Sequence, residues 1–317
     1  MKKIVYVTGC LGFIGSHVTR TCLAQGWYVI GVDKCTYASN INFLPEFESN
    51  PNFKFIKSDI NDLNRLYDCD YIINTAAETH VDNSIESSDE FLHSNVNGVH
   101  HLLKLIRQKG EVYRFRMPTL LHFSTDEVYG DIESGFHLET DMLKPSNPYS
   151  STKAAADMLI LGWARTHKVP YVIVRPTNNY GIGQYVEKLI PKSIKYLTCG
   201  RKIDIHNNGT PVRTWLHASD TANAIITIIN SGVQNEIYNI SGNCEEQNIV
   251  VIRKIVELMY GYASDIGQYL TDSNRPGQDV RYAIDDTKLK LLGWNPQARF
   301  DNELKKIVKY YKKNFIW

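Results

Sequence analysis

The stretch Ile4–Ser16, IVYVTGCLGFIGS, decides the fold. A β-rich apolar run comes first, and Gly9, Gly12 and Gly15 then form a Gly-x-x-Gly-x-x-Gly array that leads into a segment of helical period. Such glycines permit a tight turn, close approach of a pyrophosphate to the backbone, and close packing of helix on strand. The free N–H groups at the start of the helix attract phosphate. A glycine triplet alone also occurs in ordinary strand-to-helix turns, but strand, turn and helix in this order predict a dinucleotide site.

The next predicted strand, Tyr28–Asp33, ends in a carboxylate eighteen residues after Gly15. A carboxylate at this point accepts hydrogen bonds from both hydroxyls of an adenosine ribose and repels a 2′-phosphate. Asp33 therefore favours NAD over NADP, although the adjacent Lys34 weakens the inference.

Strand-like and helix-like stretches alternate through the first half of the chain. The predicted strands are Ile4–Val7, Tyr28–Asp33, Phe53–Asp59, Tyr71–Ala76, Thr119–Thr125 and Tyr171–Pro176, and the main predicted helices are Gly15–Gln25, Phe91–Lys109 and Tyr149–Thr166. This alternation predicts right-handed βαβ units and an α/β fold with a doubly wound parallel sheet of the Rossmann type.

The pattern changes near Pro176, where turn signals become denser and the helical stretches shorter. One late run, Glu236–Ser241, is predicted to return as a strand of the main sheet. We therefore expect an NAD-binding Rossmann domain over residues 1–175, with the returning strand near 236–241. A smaller, interleaved C-terminal domain over 176–317 is expected to bind the substrate.

Composition excludes several classes of function. The net charge is +1, with 43% hydrophobic and 22% charged residues, so no global field points to nucleic acid. No apolar run approaches the roughly 18 to 20 residues that span a bilayer. The six cysteines are scattered without a Cys-x-x-Cys pair, and none of the ten histidines has metal-ligand spacing. We expect a cytoplasmic protein without a metal site, a membrane contact or a nucleic-acid partner.

The C-terminal run Lys305–Trp317 is basic and aromatic. Its spacing predicts an amphipathic helix that buries Leu304, Ile307, Val308 and Tyr311 while its lysines face water.

Polar side chains collect at the C-terminal ends of the predicted strands, where open α/β sheets bind ligands. Asp59 and Ile60 end the third strand, and Thr75, Ala76 and Ala77 end the fourth. Each position is a weak signal by itself, and their common edge is the stronger observation.

Tyr149 and Lys153 lie in NPYSSTK, where Pro148 predicts a helix start. Their four-residue spacing places the phenol and the ammonium on one face of the helix. The ammonium, together with a nicotinamide's positive charge, is expected to lower the pKa of Tyr149 and make it a base for a sugar hydroxyl. The same spacing also occurs in ordinary surface pairs.

The segment Ser124–Gly130, STDEVYG, follows the fifth predicted strand. Thr125 can hydrogen-bond the hydroxyl that Tyr149 deprotonates. Asp126 and Glu127 add two adjacent carboxylates, which hydride transfer alone does not require. Mutual repulsion separates the pKa values of such a pair, so one carboxyl can act as an acid and the other as a base. Elimination needs that division, although a solvated turn or a helix cap would also explain an Asp-Glu pair.

These motifs together resemble the extended short-chain dehydrogenase/reductase proteins, and among them the nucleoside-diphosphate (NDP) glucose 4,6-dehydratases. The likeness runs from Lys3 to the C-terminus and is carried by Thr8–Ser16, Ala76–Ile85 (AAETHVDNSI), Ser124–Gly130, Asn147–Lys153, Asn178–Gly181 (NNYG), Glu187–Pro191 (EKLIP), Arg213–His217 (RTWLH) and Arg275–Asp286 (RPGQDVRYAIDD). STDEVYG, and NNYG followed by EKLIP, are the most specific of these.

The resemblance implies dehydration of dTDP-glucose or UDP-glucose to the 4-keto-6-deoxy sugar, a step towards deoxysugars such as rhamnose. Tyr149, with Thr125 and Lys153, takes the 4-hydroxyl proton as hydride passes from C4 to NAD. Glu127 then removes the C5 proton while Asp126 protonates the departing 6-hydroxyl, and the hydride returns to C6.

The resemblance also implies the binding residues and a homodimer, with helices near Phe91–Lys109 and Tyr149–Thr166 at the interface. The candidate NAD-binding residues are Gly9, Gly12, Phe13, Ile14, Gly15, Asp33, Lys34, Thr36, Asp59, Ile60, Thr75, Ala76, Ala77, Ser94, Tyr149, Lys153 and Asn179. The candidate substrate-binding residues are Thr79, Thr125, Asn178, Lys188, Leu189, Arg213, Asn248 and Arg275. Arg213 and Arg275 suit a diphosphate because guanidinium forks match phosphate oxygens.

Two alternatives stay open at this point. A nucleotide-sugar 4-epimerase would share the cofactor loop, Tyr149 and Lys153, but needs no carboxylate pair after Thr125. A non-catalytic NAD-binding sensor would be expected to lack the tyrosine or the lysine, and both are present. The base of the substrate, thymine or uracil, is also open, because Asn274 and Gln278 depart from the residues common in the family.

Overall fold

The computed structural model describes residues 2–113, 117–261, 265–273, 275 and 279–314. The strands within these residues are β1 (Ile4–Thr8), β2 (Tyr28–Asp33), β3 (Phe53–Lys57), β4 (Tyr71–Asn74), β5 (Thr119–Phe123), β6 (Tyr171–Pro176), β7 (Asn178–Tyr180), β8 (Ile203–His206), β9 (Val212–His217), β10 (Glu236–Ile240), β11 (Cys244–Gln247) and β12 (Leu270–Ser273).

The α-helices are α1 (Phe13–Ala24), α2 (Leu44–Glu48), α3 (Val81–Glu86), α4 (Asp89–Phe91), α5 (Gly98–Tyr113), α6 (Pro148–His167), α7 (Leu189–Thr198), α8 (Ala218–Ser231), α9 (Asn248–Tyr260), α10 (Thr287–Lys290) and α11 (Phe300–Tyr311). A π-helical segment, Leu92–Asn97, connects α4 to α5. Short 3₁₀ turns include Ile60–Asp62 and Asp126–Tyr129.

Seven strands form one sheet in the order β3-β2-β1-β4-β5-β6-β10, and every neighbouring pair is parallel. The inner strands are buried on both faces, as expected for apolar, β-branched runs covered by helices. Buried residues of α1 and α8 cover one face of the sheet, and those of α5 and α6 cover the other. The prediction of a doubly wound parallel α/β sheet is confirmed. Strand order reverses between β1 and β4, the position at which such sheets bind ligands.

Several predicted strands end earlier than the sequence suggested. β3, β4 and β5 stop two residues before Asp59, Ala76 and Thr125, respectively. Asp59 and Thr125 leave the sheet because their side chains accept hydrogen bonds from the backbone of the turns that follow. The side chains predicted to bind ligands therefore lie just beyond the strand ends.

The later part of the chain is interleaved with the first. The predicted returning strand is β10, which pairs with β6, and α8 packs against α1. Two smaller sheets, β11-β9-β7 and β12-β8, surround a separate core formed largely by α7, α9 and α11. All four apolar positions predicted to be buried in the last helix are buried.

Candidate active site

The glycine turn after β1 is shaped to admit a phosphate. Gly9 has a φ of +68°, and a Cβ there would lie 2.9 Å from the Cα of Ala76. A Cβ on Gly15 would lie 2.0 Å from the carbonyl oxygen of Gly9, so this position requires glycine. Helix α1 begins at Phe13 with Gly12 as its N-cap and without a side-chain cap. Its first N–H groups therefore face the cleft, and the turn fits the pyrophosphate of NAD.

Asp33 also forms hydrogen bonds that stabilise the glycine turn, a role that the sequence did not reveal. Its buried carboxylate accepts hydrogen bonds from the backbone N–H of Leu11 (2.9 Å) and of Cys35 (2.7 Å). The hydroxyl of Ser39 also donates to it, at 2.7 Å. Asp33 thus holds the glycine turn and also lines the cleft.

Lys34 is surrounded by acidic groups. Its Nζ lies 3.5 Å from a carboxylate oxygen of Asp59 and 4.0 Å from those of Glu78 and Glu90. It also donates to the hydroxyl of Ser94 at 3.2 Å. Because these carboxylates outnumber the ammonium, Lys34 does not create a site for a 2′-phosphate, and the local charge favours NAD.

Three adjoining cavities form one continuous cleft along the C-terminal edge of the main sheet, and the cavities share lining residues. The structure places every candidate NAD- and substrate-binding residue on this cleft except Lys153, which is buried behind it. Asn274 and Gln278 lie outside the described residues. Further lining residues that the sequence did not single out include Ala38, Ser39, Gln184, Tyr185, Asp82, His206 and Tyr282.

Thr125, Asp126 and Tyr149 meet in the middle of the cleft. The Thr125 hydroxyl donates to Asp126 Oδ1 at 3.2 Å, and Tyr149 lines the cleft beside both residues. Burial, and secondly the charge of Glu127, raises the pKa of Asp126 to about 7. The Oδ2 atom of Asp126 is buried and has no hydrogen-bond partner among the described residues. Asp126 can therefore carry a proton at neutral pH and present it to a ligand.

Glu127 points towards residues from two distant segments. The amide of Asn147 and the phenol of Tyr282 each lie 3.5 Å from its Oε2. Burial raises the pKa of Glu127, and the Arg213 guanidinium opposes that effect. Asn147 is also the N-cap of α6, so one residue connects Glu127 with the helix that carries Tyr149. Asn147 and Tyr282 lie in the quoted motifs, but the sequence alone gave them no role.

The expected effect of Lys153 on Tyr149 is not found in the protein chain alone. Burial raises the pKa of Tyr149, and the charges of Glu127 and Asp126 add to that effect. Lys153 Nζ donates to the carbonyl of Phe123 at 2.5 Å. Burial also lowers the pKa of Lys153, to about 8. Helical spacing does not reveal that both groups are buried, and the expectation included the nicotinamide's positive charge as well as that of Lys153.

The other end of the cleft carries the remaining polar candidates. Lys188 donates to the backbone and side-chain oxygens of Thr79 at 2.9 and 3.1 Å. The side-chain oxygens of Asn178 and Asn248 are buried and have no hydrogen-bond partner among the described residues. Buried polar atoms are usually hydrogen-bonded, so these two oxygens are candidates to accept hydrogen bonds from a ligand.

The two arginines differ from simple phosphate clamps. Arg275 forms a bidentate ion pair with Asp82, at 2.6 and 2.9 Å, on the wall of the cleft. Arg213 is buried beside Tyr282, with its guanidinium 4.4 Å from the ring centroid, and donates to backbone carbonyls. A diphosphate in this cavity would meet both guanidinium groups, although Arg275 shares its charge with Asp82.

The described residues contain no helix long and apolar enough to cross a membrane. Within the same residues no group of three or more histidine, cysteine, aspartate or glutamate side chains is arranged to hold a metal ion.

Comparison with known proteins identifies the family. Residues 6–307 match the family model described as GDP-mannose 4,6 dehydratase. The chain belongs to this family. The dTDP-glucose 4,6-dehydratase of Haemophilus influenzae is 38% identical, with 97% of each chain covered. These matches confirm the resemblance to the NDP-glucose 4,6-dehydratases that was read from the sequence motifs.

Two further 4,6-dehydratases extend the comparison. A solved structure of the dTDP-glucose 4,6-dehydratase from Streptomyces venezuelae, with NAD bound, has a TM-score of 0.91 and 34% identity, and covers 98% of this chain and 97% of that one. A trifunctional UDP-glucose 4,6-dehydratase, epimerase and reductase of Arabidopsis thaliana is 38% identical over 99% of this chain. The chain spans about half of that plant protein, 48% of its length.

Proposed function

We propose that this protein is an NAD-dependent hydro-lyase that converts a nucleoside-diphosphate glucose into its 4-keto-6-deoxy derivative. The observation that carries the proposal is the meeting of Asp126 and Glu127 with Thr125 and Tyr149 on one cleft. Oxidation and epimerisation at C4 would need only the tyrosine side of this arrangement. A carboxyl whose pKa is near 7 beside a second carboxylate supplies the acid and base that elimination of water requires.

NAD, when bound, would be the oxidant that accepts hydride from C4 and the source of the hydride that C6 later receives. Tyr149, which lines the cleft beside Thr125, takes the proton of the 4-hydroxyl. Since the resulting ketone acidifies the C5 proton, Glu127 can remove it. Asp126 donates its proton to the departing 6-hydroxyl, which leaves as water, and Glu127 returns its proton to C5 once the hydride has reached C6. The proton that Tyr149 took then replaces the one that Asp126 gave up, so all three groups regain their starting states.

The two parts of the fold bind different ligands in this proposal. Residues 1–175, with the returning strand near 236–241, supply the cofactor side, and residues 176–317 supply most of the nucleotide-sugar side. The open oxygens of Asn178 and Asn248 support this assignment, as do Lys188 and Arg213. The bases thymine and uracil differ by one methyl group, worth about 1 kcal/mol in an apolar pocket, and the two nucleotides differ also by the 2′-hydroxyl of the ribose. We keep both dTDP-glucose and UDP-glucose as proposed substrates. The product suits pathways to deoxysugars such as rhamnose.

The decisive experiment incubates the enzyme with dTDP-glucose and UDP-glucose in separate tubes, followed by alkali. We expect the ultraviolet absorbance of a 4-keto sugar in at least one tube. Formation of the galactose nucleotide instead would establish a 4-epimerase. Tight NAD binding without turnover of either sugar would support the sensor hypothesis.

We further propose a homodimer formed by the outer faces of α5 and α6. These helices pack together, and the outward side of α6 includes Met158, which is 50% exposed. Leu92, which is 47% exposed, lies in the π-helical segment that leads into α5. His100 and Trp163 are in edge contact across the two helices, with ring centroids 5.5 Å apart. This partly apolar face is of the kind that a second copy of the chain could cover.

Met158→Glu is expected to convert the dimer into a monomer, because it would bury a charge in the interface. Light scattering coupled to size exclusion measures the mass. Leu291→Glu is the control, since Leu291 is 83% exposed and follows α10, away from this face. A monomeric wild-type protein, or a dimer that persists in Met158→Glu, would contradict the proposed interface.

A cytosolic place of action is also proposed. The six cysteines are all free in the structure, and isolated thiols suit a reducing compartment.

A further inference from the structure

A buried ion pair lies directly behind the catalytic segment. Arg175, at the end of β6, is 2% exposed, and Asp157 on α6 is fully buried. The Nε and Nη2 atoms of Arg175 lie 3.0 and 2.9 Å from the same oxygen of Asp157, Oδ2. An ion pair in this position is costly to desolvate, so a well-packed apolar pair would stabilise the fold at least as well. Its presence calls for a role besides stability.

Arg175 also contacts the C-terminal end of the turn that carries the acid pair. Tyr129 is the last residue of the turn Asp126–Tyr129, and its ring lies under the Arg175 guanidinium at 4.8 Å. Arg175 Nη1 donates to the Tyr129 hydroxyl at 2.7 Å. That hydroxyl in turn donates to Asn239 Oδ1 on β10 at 2.9 Å.

Asp157 contacts the other end of the same segment. The hydroxyl of Ser124, the residue before Thr125, donates to Asp157 Oδ2 at 3.1 Å. Asp157 also lies four residues after Lys153 on the helix that begins with Pro148 and Tyr149. One ion pair is therefore joined to both ends of the segment 124–129 and to the helix that bears the tyrosine.

We propose that Arg175, Asp157 and Tyr129 are positioning residues, which fix Asp126 and Glu127 relative to Tyr149. The inference rests on the proposed function. A single 3₁₀ turn has too few internal hydrogen bonds to hold two carboxyl groups in a fixed orientation. The ion pair supplies that constraint from a fully buried layer where its geometry is rigid. Misplacement of a reacting group by 1 Å can reduce a rate by about 100-fold.

Tyr129→Phe tests the proposal because it removes one hydroxyl and retains the buried ring. We expect kcat to fall about 10- to 100-fold while KM and the NAD content stay unchanged. Reduced cofactor should accumulate during turnover, since Tyr129 holds the acid pair, whereas oxidation relies on Thr125 and Tyr149. The absorbance of bound NADH and the release of 4-keto product are measured on the same sample.

Tyr6→Phe is the matched control. Tyr6 is equally buried, on β1, and its hydroxyl accepts a hydrogen bond from the backbone N–H of Tyr67 at 2.8 Å, remote from the acid pair. We expect this variant to lower thermal stability without accumulation of reduced cofactor. Both variants are assayed well below the lower of their melting temperatures.

The outcomes separate the inference from the function on which it rests. If Tyr129→Phe has the kinetics of Tyr6→Phe, or loses oxidation and elimination equally, the positioning role is overturned. If the wild-type enzyme makes no 4-keto sugar, the proposed function itself fails.

Discussion

Glu127→Gln stops the elimination of water while oxidation at C4 continues, so reduced cofactor accumulates on the enzyme. The amide has the size of the carboxylate and can keep contact with Asn147 and Tyr282, but it cannot take a proton from C5. Loss of a general base of this kind costs about 100- to 10,000-fold in rate. Oxidation survives because Thr125 and Tyr149 are untouched.

The measurement follows bound NADH by its near-ultraviolet absorbance and 4-keto sugar by its absorbance in alkali. Glu303→Gln provides the control, because Glu303 is a partly buried glutamate on α11 that pairs with Lys306 at 2.7 Å. That variant should turn over at the wild-type rate. Full dehydration by Glu127→Gln would remove Glu127 from the mechanism and show that another base takes the C5 proton.

The main sheet could be predicted from sequence because neighbouring residues indicate each of its strands and turns. β2 and β6 have the predicted bounds, and the glycine turn between β1 and α1 lies where the array placed it. Parallel strands bring their C-terminal ends to one edge, so residues that follow separate strands, such as Asp59 and Thr125, had to converge. Nearly all of the candidate binding residues line the resulting cleft for this reason.

What the sequence could not predict depends on contacts between distant segments. Tyr282 and Asn147 reach Glu127 from positions 155 and 20 residues away, and no periodicity encodes such a meeting. The Arg175–Asp157 ion pair could not be predicted either. An arginine in a strand and an aspartate in a helix give no local sign that they will form a buried pair.

Burial is also the reason why the pKa of Tyr149 is raised in the protein chain alone. Spacing placed Lys153 on the same helix face, but spacing does not report desolvation, which raises the pKa of a phenol and lowers that of an ammonium. The chain alone holds both groups closer to their neutral forms. A phenolate at Tyr149 is therefore expected to need the positive charge of the oxidised cofactor when it is bound.

Tyr149→Phe is expected to stop the reaction before any reduced cofactor forms, in contrast to Glu127→Gln. The variant removes the hydroxyl group that faces the cleft beside Thr125 and leaves a buried ring of almost the same volume. Without a base for the 4-hydroxyl, C4 cannot become a ketone, and the C5 proton stays too weak an acid for Glu127. We expect kcat to fall about 100- to 10,000-fold, with NAD binding retained.

The order of events follows from comparing the two variants after one addition of substrate. Tyr149→Phe should show neither bound NADH nor 4-keto sugar, whereas Glu127→Gln should show bound NADH without the dehydrated product. Because Glu127 acts only on a sugar already oxidised at C4, a double variant should behave as Tyr149→Phe does. Accumulation of NADH in Tyr149→Phe would show that another group removes the 4-hydroxyl proton and that the tyrosine only packs against the sugar.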